Sequence, residues 1–170
     1  MGIIFDLDQT LVDSTAALSF RSRKDWTNTY KLIPSFTIYE GLRDVFQYLT
    51  MKKISVVIVT SSPATYCTKV ADHFSIPYIK IIGFHDTVRR KPHPDPIIKA
   101  IAELGLPKHN IISFGDDPKD IIASKAAGVY SVGCLWGSSD SEALMQAKAN
   151  HYISTPVQII ELIEVNNDRK

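Results

Sequence analysis

Asp6 and Asp8 stand one residue apart at the end of the apolar run Ile3-Ile4-Phe5, a placement suited to acid–base or metal chemistry. In an extended segment side chains at i and i+2 point the same way, so both acids project together while Leu7 turns toward packing. Carboxylates aimed at one spot repel. The remedy is a metal cation, a shared proton or a nearby Lys or Arg. A strand that merely ends in a solvated acidic turn would look the same at these two positions. The readings separate only if other reactive residues must fall beside the pair.

Three further segments qualify. Thr60, Ser61 and Ser62 follow the run Ile54 to Val59, with Pro63 opening a helix. Hydroxyls and free backbone N–H groups there form a phosphate cradle, or simply an N-cap. Gly115-Asp116-Asp117-Pro118-Lys119-Asp120 follows the run Ile111 to Phe114. One carboxylate would serve as a cap, and this segment offers three, with Asp116 and Asp120 about one helical turn apart. Arg89-Arg90-Lys91-Pro92-His93-Pro94 supplies cations, with Lys91 held extended by the proline after it. Alone it reads as a solvated basic loop; beside a carboxylate cluster, Lys91 becomes the counter-ion.

The elements that must position these residues alternate. Tyr39 to Thr50 carries Leu42, Val45, Phe46 and Leu49 at helical spacing, and Ile54 to Val59 is a β-branched strand. A helix to about His73, a strand at Tyr78 to Ile82 and a helix over 94–104 closed by Gly105 follow. Then come a strand at Ile111 to Phe114, a helix from Pro118 to Ala127 closed by Gly128, and a strand at Val129 to Val132. Tyr152 and Ile153 suit a short added strand, Pro156 to Val165 a last helix, and residues 166–170 a frayed end. Apolar strands alternating with helices imply an α/β doubly wound parallel sheet, Rossmann-like, whose ligands bind beyond the carboxyl ends of the strands. All four segments fall at that address.

Up to five acids, Asp6, Asp8, Asp116, Asp117 and Asp120, would then share one end of the sheet, with Asp117 the one free to point outward. At an effective dielectric near 20, each like-charge pair ~4 Å apart costs about 4 kcal/mol, so cations are required. Oxygen ligands select hard ions, and Mg2+ is the usual one that binds a few carboxylates while keeping waters for phosphate.

The bulk properties narrow the class without choosing the substrate. A chain of 170 residues, 45% hydrophobic, suits one domain over 1–170. A net charge of +1 exerts no long-range pull on nucleic acid or anionic membrane. Cys67 and Cys134 match no metal or disulfide pattern, and no apolar run approaches the ~18 residues needed to cross a bilayer. The expectation is a soluble cytoplasmic protein without a thiol mechanism.

Taken together, DLDQT at 6–10, the hydroxyls Thr60 and Ser61, Lys91-Pro92 and GDxxxD at 115–120 resemble the four ordered motifs of the haloacid dehalogenase superfamily. The likeness runs from residue 1 to about 137, where GVYSVGCLWG also has the family's look. Gln9 departs from the glycine commonest at that position. The resemblance implies strand order 5-4-1-2-3, with Asp6 as nucleophile giving an aspartyl phosphate and Asp8 as acid and base. It implies Mg2+ on the Asp6 carboxylate, the Asp8 backbone carbonyl and Asp116, with Asp120 holding a metal-bound water or Lys91 and Asp117 in support. Thr60, the Ser61 backbone and Lys91 would hold the phosphoryl oxygens; His93 is assigned no role and reads as structural. Dehalogenase relatives lack an acid at the position of Asp8, so a phosphate ester is the expected substrate.

Relatives often insert a helical bundle after the first motif, yet only about 25 residues, 14–38, are available here. Four helices of even ~10 residues do not fit, so a reduced cap, one helical hairpin or a long loop, is expected over an open site. Arg21, Arg23, Lys24, Trp26, Tyr30 and Lys31 lie in it, either packing a small solvated cap or holding a polyanion or base. The leading expectation is a Mg2+-dependent phosphomonoesterase for a small phosphorylated molecule. The alternatives are a phosphatase for protein or nucleic-acid phosphate ends and a regulatory binding domain without turnover. Oligomeric state is not encoded in any of these features.

Overall fold

The computed structural model describes residues 1–167, which include every element named below. In chain order the elements are β1 (Gly2–Phe5), β2 (Val12–Asp13), α1 (Leu18–Ser22), α2 (Trp26–Lys31), β3 (Thr37–Ile38), α3 (Leu42–Met51), β4 (Ser55–Val59) and α4 (Ala64–Phe74). There follow β5 (Lys80–Ile82), α5 (Asp95–Leu104), β6 (Ile111–Gly115), α6 (Pro118–Ala127), β7 (Tyr130–Cys134), α7 (Ser141–Gln146), β8 (His151–Ile153) and α8 (Gln158–Asn167). Six strands form one sheet in the order β5-β4-β1-β6-β7-β8, every neighbouring pair parallel. Numbering only the strands of that sheet, this is the expected 5-4-1-2-3, with β8 added beyond the fifth strand.

The sheet is covered on both faces, which is why its strands are mostly apolar rather than alternating with polar residues. Strand alternation sends Ile3, Phe5, Val56 and Ile58 into one core with side chains of α3, α4 and α8. Ile4, Val57 and Val59 enter the other, with Ile97 and Ala100 of α5 and Ala123 and Ala127 of α6. Among the described residues no helix is long and apolar enough to cross a membrane.

Chain order reverses at β1, which lies between β4 and β6. Phe5 is level with Ile58 on one side and Phe114 on the other, so the three strand ends open side by side. That crevice is where an open α/β sheet takes its ligand.

Segment 14–38 is pinched at its neck by β2 and β3, an antiparallel ribbon pairing Val12 with Ile38 and Asp13 with Thr37. Between them α1 and α2, five and six residues long, carry the chain over the strand ends. Ala17, Ile33 and Phe36 are buried in the same core as Ile3 and Phe5.

Several boundaries differ from the sequence reading. α3 begins at Leu42 rather than at about Tyr39 because Gly41, at φ 87, holds the preceding turn in the left-handed region. α4 starts after Pro63 with no side-chain cap from Ser61 or Ser62. The ribbon of β2 and β3 and the short α7 were not expected. The expected end at 166–170 is still helical at 166 and 167, and residues 168–170 lie outside the described part.

Candidate active site

The first residue past β1 is Asp6, whose backbone N–H donates to the Phe114 carbonyl at 3.0 Å and so extends the ladder by one step. Its carboxylate meets Lys91, the Nζ of which lies 2.7 Å from Asp6 Oδ1 and 2.6 Å from Asp120 Oδ1 and donates to the Val59 carbonyl at 2.9 Å. Three acceptors from three separated segments use all three of the ammonium protons.

Asp120 reaches Lys91 because α6 begins where β6 ends. Asp117 is the N-cap of α6, its side chain accepting from the Lys119 N–H at 2.9 Å, while Asp120 Oδ2 accepts from the Asp117 N–H at 3.2 Å. This capping box spends Asp117 on the helix and leaves Asp120 Oδ1 for the site. A Cβ at Gly115 would overlap that of Asp120, so glycine permits the close approach. Asp116 Oδ1 accepts from the Thr10 hydroxyl at 2.6 Å, and Thr10 is held by Trp136 Nε1, which donates to its carbonyl at 3.0 Å.

Asp8 belongs to a different set of partners. Ser14 Oγ and Tyr66 OH each donate to its Oδ1 at 2.7 Å, Ser62 Oγ donates to Oδ2 at 3.0 Å, and Arg21 Nη1 lies 2.7 Å from Oδ2. The strand alternation that would aim Asp6 and Asp8 together ends with β1 at Phe5, and Gln9, at φ 69, turns the chain through the left-handed region. A glycine at this position would take that conformation without a Cβ penalty. Both acids line one cavity of about 840 Å³, together with Thr60, Ser61, Lys91, Asp116, Asp117 and Asp120. Thr60 Oγ1 accepts from the Ser62 N–H at 3.0 Å, which shapes the loop after β4.

Oxygen atoms of Asp6, Asp116 and Asp120 lie within 4.8 Å of one another. Burial pushes the Asp6 carboxyl up to about 7 against the pull of Lys91, with Asp120 and Asp8 adding to the rise. Burial does the same to Asp116, which Asp6 and Asp120 push further, to about 9. Burial alone would lower Lys91, but Asp120 and Asp6 outweigh it and hold the ammonium charged. Three clustered carboxylates with one lysine remain short of positive charge. An all-oxygen set with that deficit fits a small hard divalent cation.

Of the basic and aromatic residues in segment 14–38, Arg21, Lys24 and Trp26 line the cavity. Arg23, Tyr30 and Lys31 do not: Arg23 donates to the Ser19 carbonyl, Tyr30 bonds Thr65, and Lys31 donates to Asn28. His93 Nδ1 sits 3.1 Å from Asp95 Oδ1 and is not part of the cavity lining. Sequence reasoning missed Thr10, Ser14 and Tyr66 as partners of the acids. Thr10 sits inside the DLDQT run and was the one of these within reach of a motif argument. Tyr66 on a helix face looks like any core aromatic.

A family model described as haloacid dehalogenase-like hydrolase matches residues 21–134. The chain is similar to a protein named as a pyrophosphatase in Caldanaerobacter subterraneus subsp. tengcongensis, with 30% identity over 129 residues, which are 75% of this chain and 59% of that one. It is also similar to a phosphoglycolate phosphatase of Pectobacterium atrosepticum, with 27% identity over 160 residues, 89% of this chain and 67% of that one. The chain thus spans 59% and 67% of the length of these two relatives. The crystal structure of a HAD-superfamily hydrolase of subfamily IA, variant 1, from Geobacter sulfurreducens matches with a TM-score of 0.77 at 20% identity, covering 95% of this chain and 98% of that one. At that identity the likeness is one of fold.

Proposed function

Since the chain belongs to the haloacid dehalogenase-like hydrolases, we propose that it hydrolyses phosphate monoesters with Asp6 as nucleophile and Asp8 as the proton carrier. The observation that carries this reading is the Lys91 ammonium held between Asp6 and Asp120 beside Asp116, at the crevice where strand order reverses. An Asp6 oxygen attacks phosphorus, the P–O bond to the leaving group breaks, and Asp8 gives its proton to the departing oxygen. Water then attacks the aspartyl phosphate, Asp8 takes a proton from it, and inorganic phosphate leaves with Asp6 restored.

Thr60 and the Ser61 backbone donate to the phosphoryl oxygens, where each donor aimed at developing charge contributes roughly 2.7 to 4 kcal/mol, and Lys91 joins them by exchanging its bond to Asp6 for one to the phosphoryl group. Asp6, the Asp8 backbone carbonyl and Asp116 would hold a magnesium ion, whose charge offsets the carboxylate repulsion and that of the incoming phosphoryl group. Asp120 fixes Lys91, and Asp117 supports Asp120 through the helix cap. Ser14, Ser62 and Tyr66 keep the Asp8 carboxylate in one orientation.

A small phosphorylated metabolite fits best, as the relatives named for phosphoglycolate and pyrophosphate suggest. Arg23, Tyr30 and Lys31 do not line the cavity and bond to other groups, which counts against a track for a polymer end. We read 14–38 as a reduced cap on a single domain, and the two free buried thiols, Cys67 and Cys134, accord with a cytoplasmic setting. Phosphate release from p-nitrophenyl phosphate in Mg2+, and its loss with chelator and in Asp6→Asn, is the test. No release in Mg2+, or full rate in that variant, would reject the reading.

A further inference from the structure

Gln9 stands in the left-handed region, at φ 69, where a side chain carries a steric cost that glycine escapes. Its amide makes two bonds there. The Tyr39 hydroxyl donates to Gln9 Oε1 at 2.7 Å, and Gln9 Nε2 donates to Thr15 Oγ1 at 3.0 Å. Thr15 is the second residue past β2 and Tyr39 the first past β3, so one side chain from the turn after β1 ties the chain where segment 14–38 departs and where it returns. The ribbon at this neck is short, pairing only Val12 with Ile38 and Asp13 with Thr37. The backbone of Gln9 is itself held: its N–H donates to the Val12 carbonyl at 2.8 Å, and its carbonyl lies where a Cβ on Gly137 would fall. Ser14, next to Thr15, donates to Asp8 Oδ1 at 2.7 Å, and Arg21, farther along the same segment, places Nη1 2.7 Å from Asp8 Oδ2. The Thr15 N–H donates to Asp13 at 2.9 Å, so Ser14 is flanked by residues that are bonded to each other.

We propose that Gln9 is a positioning residue for proton transfer: its amide, bridging Thr15 and Tyr39, holds the neck of segment 14–38 so that Ser14 and Arg21 keep the Asp8 carboxylate aimed at the leaving oxygen. The proposal rests on the phosphatase reading above, in which Asp8 carries the proton. The leaving oxygen must come within about 2.6 to 3.2 Å of Asp8 to receive it, so a carboxylate that swings loses the step. Gln9 touches no reacting atom and acts through the neck, as a support that fixes another group's geometry. Tyr66 and Ser62 reach Asp8 from α4 and from the loop before it, outside the segment, and keep the carboxylate nearby when the neck loosens. The expected loss is therefore partial. With glycine at position 9 the turn survives, and the neck is left to its two-residue ribbon.

The test compares p-nitrophenyl phosphate, whose phenolate departs with little need of a proton, with ethyl phosphate, whose alkoxide requires one. Here kcat/KM reads the steps up to release of the alcohol, in which Asp8 acts only as an acid. Gln9→Gly keeps the left-handed turn without strain, and Tyr39→Phe leaves residue 9 untouched. Each should lower kcat/KM for ethyl phosphate by about tenfold, the scale of one or two hydrogen bonds, and for p-nitrophenyl phosphate by no more than about twofold. Tyr39→Phe placed on Gln9→Gly should change little further, because the two act through one bond. Hydrogen exchange needs no turnover: the Thr15 and Ala17 amides, both bonded in the native chain, should exchange about fivefold faster in either variant while α4 is unchanged. Variants that slow both compounds alike, or neither, overturn the proposal, as does native exchange at the neck. If the native chain hydrolyses neither compound, the phosphatase reading falls, and the exchange rates still decide whether Gln9 holds the neck.

Discussion

Chelating divalent cations should make this chain lose stability as pH rises above about 5, and the loss should trace to Asp6 and Asp116. In the folded chain without metal these two sit at about 7 and about 9, against 3.8 for an ordinary aspartate. Both then keep a proton that the unfolded chain has already released. Their contribution to stability is complete below about pH 4 and is lost as pH climbs through the folded values. Each retained proton lowers unfolding free energy by about 1.4 kcal/mol per pH unit, so raising pH from 5 to 6.5 removes about 2 kcal/mol for each carboxyl. Asp13 and Asp25, both held below the usual value by bonds from Thr15 and Asn28, are ionised across this window and do not mask the slope. With a urea dependence of about 2 kcal/mol per M, the denaturation midpoint in chelator should fall by about 1 M per carboxyl between those pH values. Saturating Mg2+, which binds the ionised forms, should flatten the slope, and Asp116→Asn should shrink it. A midpoint in chelator that is level or rising from pH 5 to 6.5, or one indifferent to Mg2+, would refute the electrostatic account of the cluster.

Three further outcomes are expected. Thr10→Val removes the 2.6 Å bond to Asp116 while keeping side-chain volume, and should weaken Mg2+ binding by roughly tenfold to a hundredfold in calorimetry, the usual effect of losing an outer partner. Tyr66→Phe deletes one donor from Asp8 and should cost about 1 kcal/mol of stability and roughly tenfold in kcat, with KM moving less; unchanged kcat would show that Asp8 needs no anchor from α4. Gly137→Ala would press its Cβ into the Gln9 carbonyl, a backbone atom that cannot swing aside, so both melting temperature and turnover should drop; an alanine variant with native melting would refute the contact.

The alternation of strands and helices and the address of the site were legible because both depend on short-range patterns: β-branched runs, Pro118 opening a helix and Gly128 ending it; strand order, which no local pattern carries, followed only from the resemblance to the superfamily. Lys91 was legible as a counter-ion because an acid cluster demands one wherever it lies in the chain. The partners of Asp8 were not. Ser14, Ser62 and Tyr66 reach it across 6, 54 and 58 positions, and no local rule gathers them. The ribbon of β2 and β3 was hidden for a similar reason, since two residues per strand carry no periodicity. Asp117 divided from Asp120 only when the capping box was seen, because either acid could have served as the cap.

Segment 14–38 shares Ala17, Ile33 and Phe36 with the core under the sheet, while Leu18, Arg21, Ser22, Lys24 and Trp26 border the cavity. Foundation and cavity lining are thus interleaved residue by residue on one short stretch. Grafting a whole foreign loop here to obtain a new preference would pull out part of the keel with it. A library that fixes Ala17, Ile33, Phe36 and Trp26, which also packs against that core and on the Tyr66 ring, and varies Leu18, Arg21, Ser22 and Lys24 changes the cavity wall while the keel stays in place.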